Sequence, residues 1–230
     1  MCCVAFKIVS NQTKEPDRFQ QRHLRVRSND TETLYYNLLR YASDVVENIK
    51  CSVYIIASGM FKLNPLHTIP TLNDKGFILW ESRAILQYLT DRYGKDDTLN
   101  PKIPKRSGMV NQILYFDACT LFPRILQYFY PIVFQHQPPD PDKAEKVEEA
   151  LGHLNAFLDK HPWVAGPYMT VADFAIAATI ATAKAVQFDI SKHPNVESWY
   201  NRAKKTMSGF EEINEKGAAM MEEMFKKSLE

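Results

Sequence analysis

The sequence predicts a two-part chain, a short α/β unit followed by an all-helical domain. Three observations carry this. Runs rich in β-branched and aromatic residues at 51–58, 68–72 and 76–80 are interleaved with segments of helical apolar spacing as far as residue 93. The stretch "GKDDTLNPKIPK" at 94–105 is polar and proline-bearing, as linkers are. Beyond it every segment repeats its apolar residues at helical intervals. The expected division is therefore 1–93, with 1–60 atypical, then a linker at 94–105, then 106–230.

Within the first part, residues 11–32 are polar, mildly basic and without apolar periodicity, and read as a loop. Leu34, Leu38, Ala42, Val45, Val46 and Ile49 then recur at helical spacing. "CSVYIIAS" at 51–58 reads as a strand. Two further strands, 68–72 and 76–80, are expected to form a hairpin through Asn73, Asp74 and Lys75. A helix is expected from Glu81 to about Tyr93, closed by Gly94 in a left-handed cap.

In the second part, 106–137 reads as one long aromatic-rich helix or a helix pair bent at Pro123. Residues 143–159 are amphipathic, and 170–186 are almost wholly apolar, which places that helix inside a bundle. Its start, Thr170-Val171-Ala172-Asp173, has the spacing of a capping box and reads as structure rather than catalysis. Helices at 195–205 and 210–227 complete the domain.

At 230 residues and 45% hydrophobic content the chain can build a substantial core. Its 28 basic and 27 acidic residues nearly cancel, so no global charge points to nucleic acid or an anionic membrane. Cys2, Cys3, Cys51 and Cys119 have neither disulfide-framework nor zinc spacing, which favours a reducing cytoplasm and no metal. No apolar run approaches the roughly 20 residues of a membrane span, and no signal-peptide pattern is expected at the start.

The polar block Glu81-Ser82-Arg83 stands between a strand-like run and a helix-like run. A helix start offers amide donors and partial positive charge, so a ligand carboxylate fits there beside the Ser82 hydroxyl. Glu81 can accept from an ammonium on the same ligand, while Arg83 can brace Glu81 or pair with Asp91. Upstream, Pro70 cannot donate to a strand ladder, which leaves the Ile69 backbone available to an extended peptide, and His67 can meet a second carboxylate. Such a site suits a small anionic peptide held by its backbone and charged ends.

Taken together, "FKLNPLHTIPTLNDKGFILWESRAILQYL", "NQILYFDACTLFPRILQYFYPIVF" and "WVAGPYMTVADFAIAATIATAKAVQFDISKHPNVESWYNRAK" resemble the glutathione transferases, most closely the insect delta/epsilon-like group. The resemblance implies a thioredoxin-like N-terminal domain, an all-α C-terminal domain, a homodimer, and glutathione as co-substrate. It implies that a cis-proline at Pro70 lets Ile69 grip the cysteinyl part of glutathione. Glu81 and Ser82 would hold the γ-glutamyl end with Arg83 beside them, and His67 the glycyl carboxylate. The hydrophobic electrophile would lie against the aromatic region containing Tyr115, Phe116, Leu121, Phe122, Leu126, Phe129 and Tyr130, roughly half of which should form a pocket and the rest core.

In that group a serine near the end of the first strand activates the thiol, in text like L-Y-Y-x-x-x-S-x-P-C-R. Two alignments compete here. If "LYYNLLRYASD" corresponds, the serine position is Arg40, with Ser43 three residues later; if "CVAFKIVS" is the first strand, Ser10 ends it and is the catalytic candidate. The segment before Pro70 is also shorter than the family's. The expected function is conjugation of glutathione to small hydrophobic electrophiles in detoxification. The competing expectation is a non-catalytic ligand carrier or interaction module on the same fold, and a third is peroxidase, isomerase or dehydrochlorinase chemistry.

Overall fold

The computed structural model describes residues 52–54, 63–66, 68 and 70–230, residues 52–54 and 212 through their backbone alone. The expected loop at 11–32, the helix at 33–49 and the candidates Ser10, Arg40, Ser43, His67 and Ile69 lie outside the described residues.

Strands β1 (Ser52–Tyr54), β2 (Thr71–Asp74) and β3 (Phe77–Trp80) pair antiparallel in that order, with Thr71 opposite Trp80 and Asp74 opposite Phe77. The hairpin is tighter than expected and turns on Lys75 and Gly76, at φ 52° and 98°. Positive φ at both central residues matches the right-handed strand twist, and glycine takes it without a Cβ penalty. The Asn73 side-chain oxygen accepts from the Gly76 N–H at 2.8 Å. Asp74, expected in the turn, instead ends β2 and is buried, accepting from the Tyr88 and Tyr93 hydroxyls at 2.6 Å each.

Helix α1 (Ser82–Tyr93) follows directly. Ile85, Leu86 and Leu89 recur on one face and share the core with Leu72 of β2. Burying each such side chain contributes roughly 2 kcal/mol. The expected left-handed cap at Gly94 is not formed, for its φ is −64° and its ψ 152°. Glycine is needed there for room: a Cβ would stand 2.3 Å from the Thr90 carbonyl oxygen, which the Gly94 N–H meets at 2.9 Å.

The connection to the next helix is tied down at several points. The Asn100 amide donates to Asp91 at 2.9 Å, and the Leu99 carbonyl accepts from the Val171 N–H at 2.8 Å. Helix α2 (Pro104–Phe116) then runs into a π turn (Asp117–Leu121) and on into α3 (Phe122–Gln135). The expected bend near Pro123 is thus a widened turn just ahead of it. Proline has no N–H to give to the carbonyl four residues back, and the ladder shifts so that the Phe122 N–H bonds the Asp117 carbonyl.

Helices α4 (Pro141–Phe157), α5 (Val171–Ala185), α6 (Pro194–Thr206) and α7 (Lys216–Lys227) complete the bundle. As its all-round apolar sequence requires, α5 is central and touches α1, α2, α3, α6 and α7. Alanines dominate its surface and let so many neighbours approach at once. Its capping box forms: Thr170 N–H and hydroxyl donate to one Asp173 oxygen at 2.8 and 3.2 Å. The other oxygen takes the Val164 N–H at 2.9 Å and the Trp199 indole N–H at 3.0 Å. Burial pushes the Asp173 carboxyl up to about 6 while these donors pull it down. Among the described residues no helix is long and apolar enough to cross a membrane.

Candidate functional site

The N-terminus of α1 is built differently from that of α5. Glu81 precedes the helix at φ 68° and ψ 105°, its side chain is exposed, and it makes no capping hydrogen bond. A non-glycine residue at such a φ costs about 1–3 kcal/mol, and strain of this kind gathers at binding sites. The first helical bond runs from the Ile85 N–H to the Glu81 carbonyl at 2.9 Å, so the ladder consumes none of the amides ahead of it. A strained, exposed carboxylate thus stands directly before a helix start that it does not cap.

Ser82 is buried. Its Oγ accepts from Arg83 Nη1 at 3.1 Å, which leaves the hydroxyl proton to point elsewhere. Arg83 reaches neither Glu81 nor Asp91 in the way its sequence position invites. Its Nε and Nη2 donate to one oxygen of Asp117, at 2.9 and 2.6 Å, and its guanidinium lies 5.2 Å from the centre of the Phe122 ring. Asp91 is taken by Asn100 and Lys102 instead.

Asp117 is fully buried within the π turn, and its ion pair with Arg83 joins the start of α1 to the helical domain. Burial pushes its carboxyl up, and the Arg83 charge with its hydrogen bonds acts in the opposite direction. Asp117 is absent from the sequence-predicted site, though a lone carboxylate in "ILYFDACTLF" is itself a signal, since a buried charge requires a partner.

Asn64 is absent from that predicted site as well. It is fully buried, and its amide nitrogen donates to the Thr68 carbonyl, the Thr68 hydroxyl and the Thr71 hydroxyl at 3.0, 3.1 and 2.9 Å, while its oxygen accepts from the Leu66 N–H at 2.9 Å. This knot fixes the approach to β2, and Pro70 is buried immediately before that strand.

The aromatic candidates separate by burial. Phe129 and Leu121 belong to the core, the former with its ring near Phe225 and Phe134. Phe116 is half-buried and meets Phe157 edge-to-face at 5.0 Å. Tyr115, Leu126 and Tyr130 are exposed, Tyr115 to 70%, and Phe122 lies half-buried against Arg83.

Comparison with known proteins bears on this arrangement. The glutathione S-transferase N-terminal domain model matches residues 59–91, and the C-terminal domain model matches 121–205. A delta-class glutathione transferase of Nilaparvata lugens is 37% identical, with 99% of this chain and 94% of that one covered at a TM-score of 0.77. The chain belongs to the glutathione transferases. An epsilon-class transferase of the housefly, Musca domestica, is 34% identical over 75% of this chain and 80% of its own, with a TM-score of 0.70. A transferase homologue of Drosophila mojavensis, solved with bound glutathione, is 30% identical over 75% of this chain and 79% of its own, with a TM-score of 0.70. The transferase's two domain matches span the strained Glu81 on one side and the whole of α3 and α5 on the other.

Proposed function

We propose that this transferase joins the sulfur of reduced glutathione to small hydrophobic electrophiles, with residues 1–93 supplying the peptide site and 106–230 the electrophile site. The observation that carries the residue assignment is the helix start at Ser82, which the strained, exposed Glu81 before it does not cap. Glutathione has an α-carboxylate and an ammonium at one end, and these two groups fit the amides with Ser82 and the Glu81 carboxylate respectively. The bound glutathione in the Drosophila mojavensis homologue supports the same ligand here. Pro70 with the Ile69 backbone would hold the cysteinyl portion, and His67 the glycyl carboxylate.

Arg83 serves the ligand indirectly, by fixing Ser82 from one side while Asp117 fixes Arg83. Tyr115, Phe122 and Leu126 offer an apolar wall to the electrophile, backed by Phe116 and Phe129 from the core side. In the reaction the glutathione thiol loses its proton, the thiolate forms a bond to the electrophilic carbon, and a leaving group such as halide departs. A free thiol titrates near about 8.5, so a nearby donor that stabilises the thiolate accelerates the step at neutral pH. Ser10 is the hydroxyl assigned to that role. We place the transferase in the cytoplasm as a homodimer, in keeping with its family.

The test joins retention on immobilised glutathione with turnover of an aryl halide, in wild type, Glu81→Ala and Ser10→Ala. Wild type should bind and turn over; Glu81→Ala should lose retention and Ser10→Ala turnover. A folded wild-type protein that neither binds nor reacts would overturn the enzyme reading in favour of a ligand carrier.

A further inference from the structure

Phe122 stands where the two halves of the site meet, and its chemistry there exceeds that of an apolar wall. The guanidinium of Arg83 is planar. Its in-plane donors go to Asp117, through Nε and Nη2, and to the Ser82 oxygen, through Nη1. Those contacts anchor the guanidinium at its edges. The Phe122 ring, 5.2 Å from the guanidinium carbon, adds a contact to its face through the negative face of the π system.

The backbone explains why ring and carboxylate act on the same cation. In an α-helix, side chains five residues apart point about 140° away from each other. Asp117 and Phe122 are five apart but span the π turn, whose ladder closes from the Phe122 N–H to the Asp117 carbonyl. That wider turn brings residues five apart back to one side. A regular helix would give Arg83 the carboxylate or the ring, and the π turn gives it both.

We infer that Phe122 is a positioning residue for glutathione: its ring holds the Arg83 guanidinium in the plane from which it orients Ser82, and so couples the electrophile wall to the glutathione anchor. The inference rests on the functional reading above. An electrophile seated on Phe122 then changes glutathione affinity, and by linkage glutathione changes electrophile affinity by the same factor.

The decisive measurement is the Kd of reduced glutathione for the full-length protein with no electrophile present, because a residue that only lines the electrophile wall cannot move it. Phe122→Leu keeps apolar bulk and removes the ring, and should weaken glutathione binding about fivefold. Phe122→Tyr keeps the ring and should bind as wild type does. In an Arg83→Met background, Phe122→Leu should add nothing further, since the two act as one unit. Circular dichroism confirms the fold of each variant, and Phe122→Met, also without a ring, replaces any leucine variant that fails to fold. Unchanged glutathione Kd in the ringless variants, with only the KM for the electrophile altered, would overturn the inference. Absence of glutathione binding in wild type would instead sink the functional reading beneath it.

Discussion

Two helices of this transferase begin in opposite ways. At the start of α5, Asp173 turns back on Thr170 and also gathers Val164 and Trp199, so the end is sealed by the protein itself. At the start of α1 the preceding residue is a carboxylate held in a costly backbone conformation, and it caps nothing. A helix start always presents unfilled donors. Asp173 closes the one that organises the core, whereas Glu81 does not cap the one proposed above to hold glutathione. On that proposal, a strained residue before a helix it does not cap marks the site where the individual side chains do not.

The contrast is sharpest when each end is damaged. Asp173→Ala leaves four donors facing a buried gap, and the expected loss is about 4 kcal/mol of stability, read as a fall in the urea midpoint. The same carboxylate sets a pH signature. Its folded value of about 6 lies above its ordinary 3.8, so the folded state holds a proton that the unfolded state releases between the two. The associated stabilisation is full below about pH 4 and is lost as pH rises through about 6. Urea midpoints across pH 4–7 should show that decline in wild type and lack it in Asp173→Ala.

At the open end, Asp117→Asn leaves the Arg83 charge without its anion. The expected cost is about 3 kcal/mol in stability. Because Arg83 also orients Ser82, glutathione retention should fall with it, whereas Asp173→Ala in any fraction that remains folded should retain glutathione. Equal effects of the two variants on retention would erase the distinction between the ends.

Smaller but more telling is Ser82→Ala. Loss of one hydroxyl contact to a carboxylate should weaken glutathione about tenfold, or about 1.4 kcal/mol, measured by calorimetric titration. Glu81→Gly should move stability and binding in opposite directions. Glycine relieves the positive φ and should gain about 1 kcal/mol in unfolding free energy, while the ammonium partner disappears and retention falls. A variant that gained stability and kept full affinity would show the strain to be unrelated to binding.

The helical domain was largely legible in the sequence because periodicity and caps are local. The apolar run at 170–186 and its Thr170-Asp173 box announce themselves within a few residues. The block Glu81-Ser82-Arg83 was visible for the same reason. What escaped was non-local or geometric. Nothing near Arg83 indicates that its partner is Asp117, since the ion pair depends on how α1 packs beside the π turn. The role of Gly94 was misjudged because glycine is needed both for positive φ and for close approach, and the sequence does not separate the two. Asn64 resembles an ordinary loop residue until its bonds to Thr68 and Thr71 are seen.

The π turn at Asp117–Leu121 also governs what changes in chain length this region can accept. Up to residue 116 and again from residue 122 the helix is regular, so the turn amounts to one surplus residue in an otherwise continuous rod. Deleting one residue within the turn would return the rod to regular α-helix with the downstream register kept, so Ile125, Phe129 and Ile132 would stay in the core. A deletion beyond residue 122, where no surplus residue absorbs it, would instead rotate the rest of α3 by about 100° about the axis. The same change in length is therefore taken up inside the turn and disruptive just outside it.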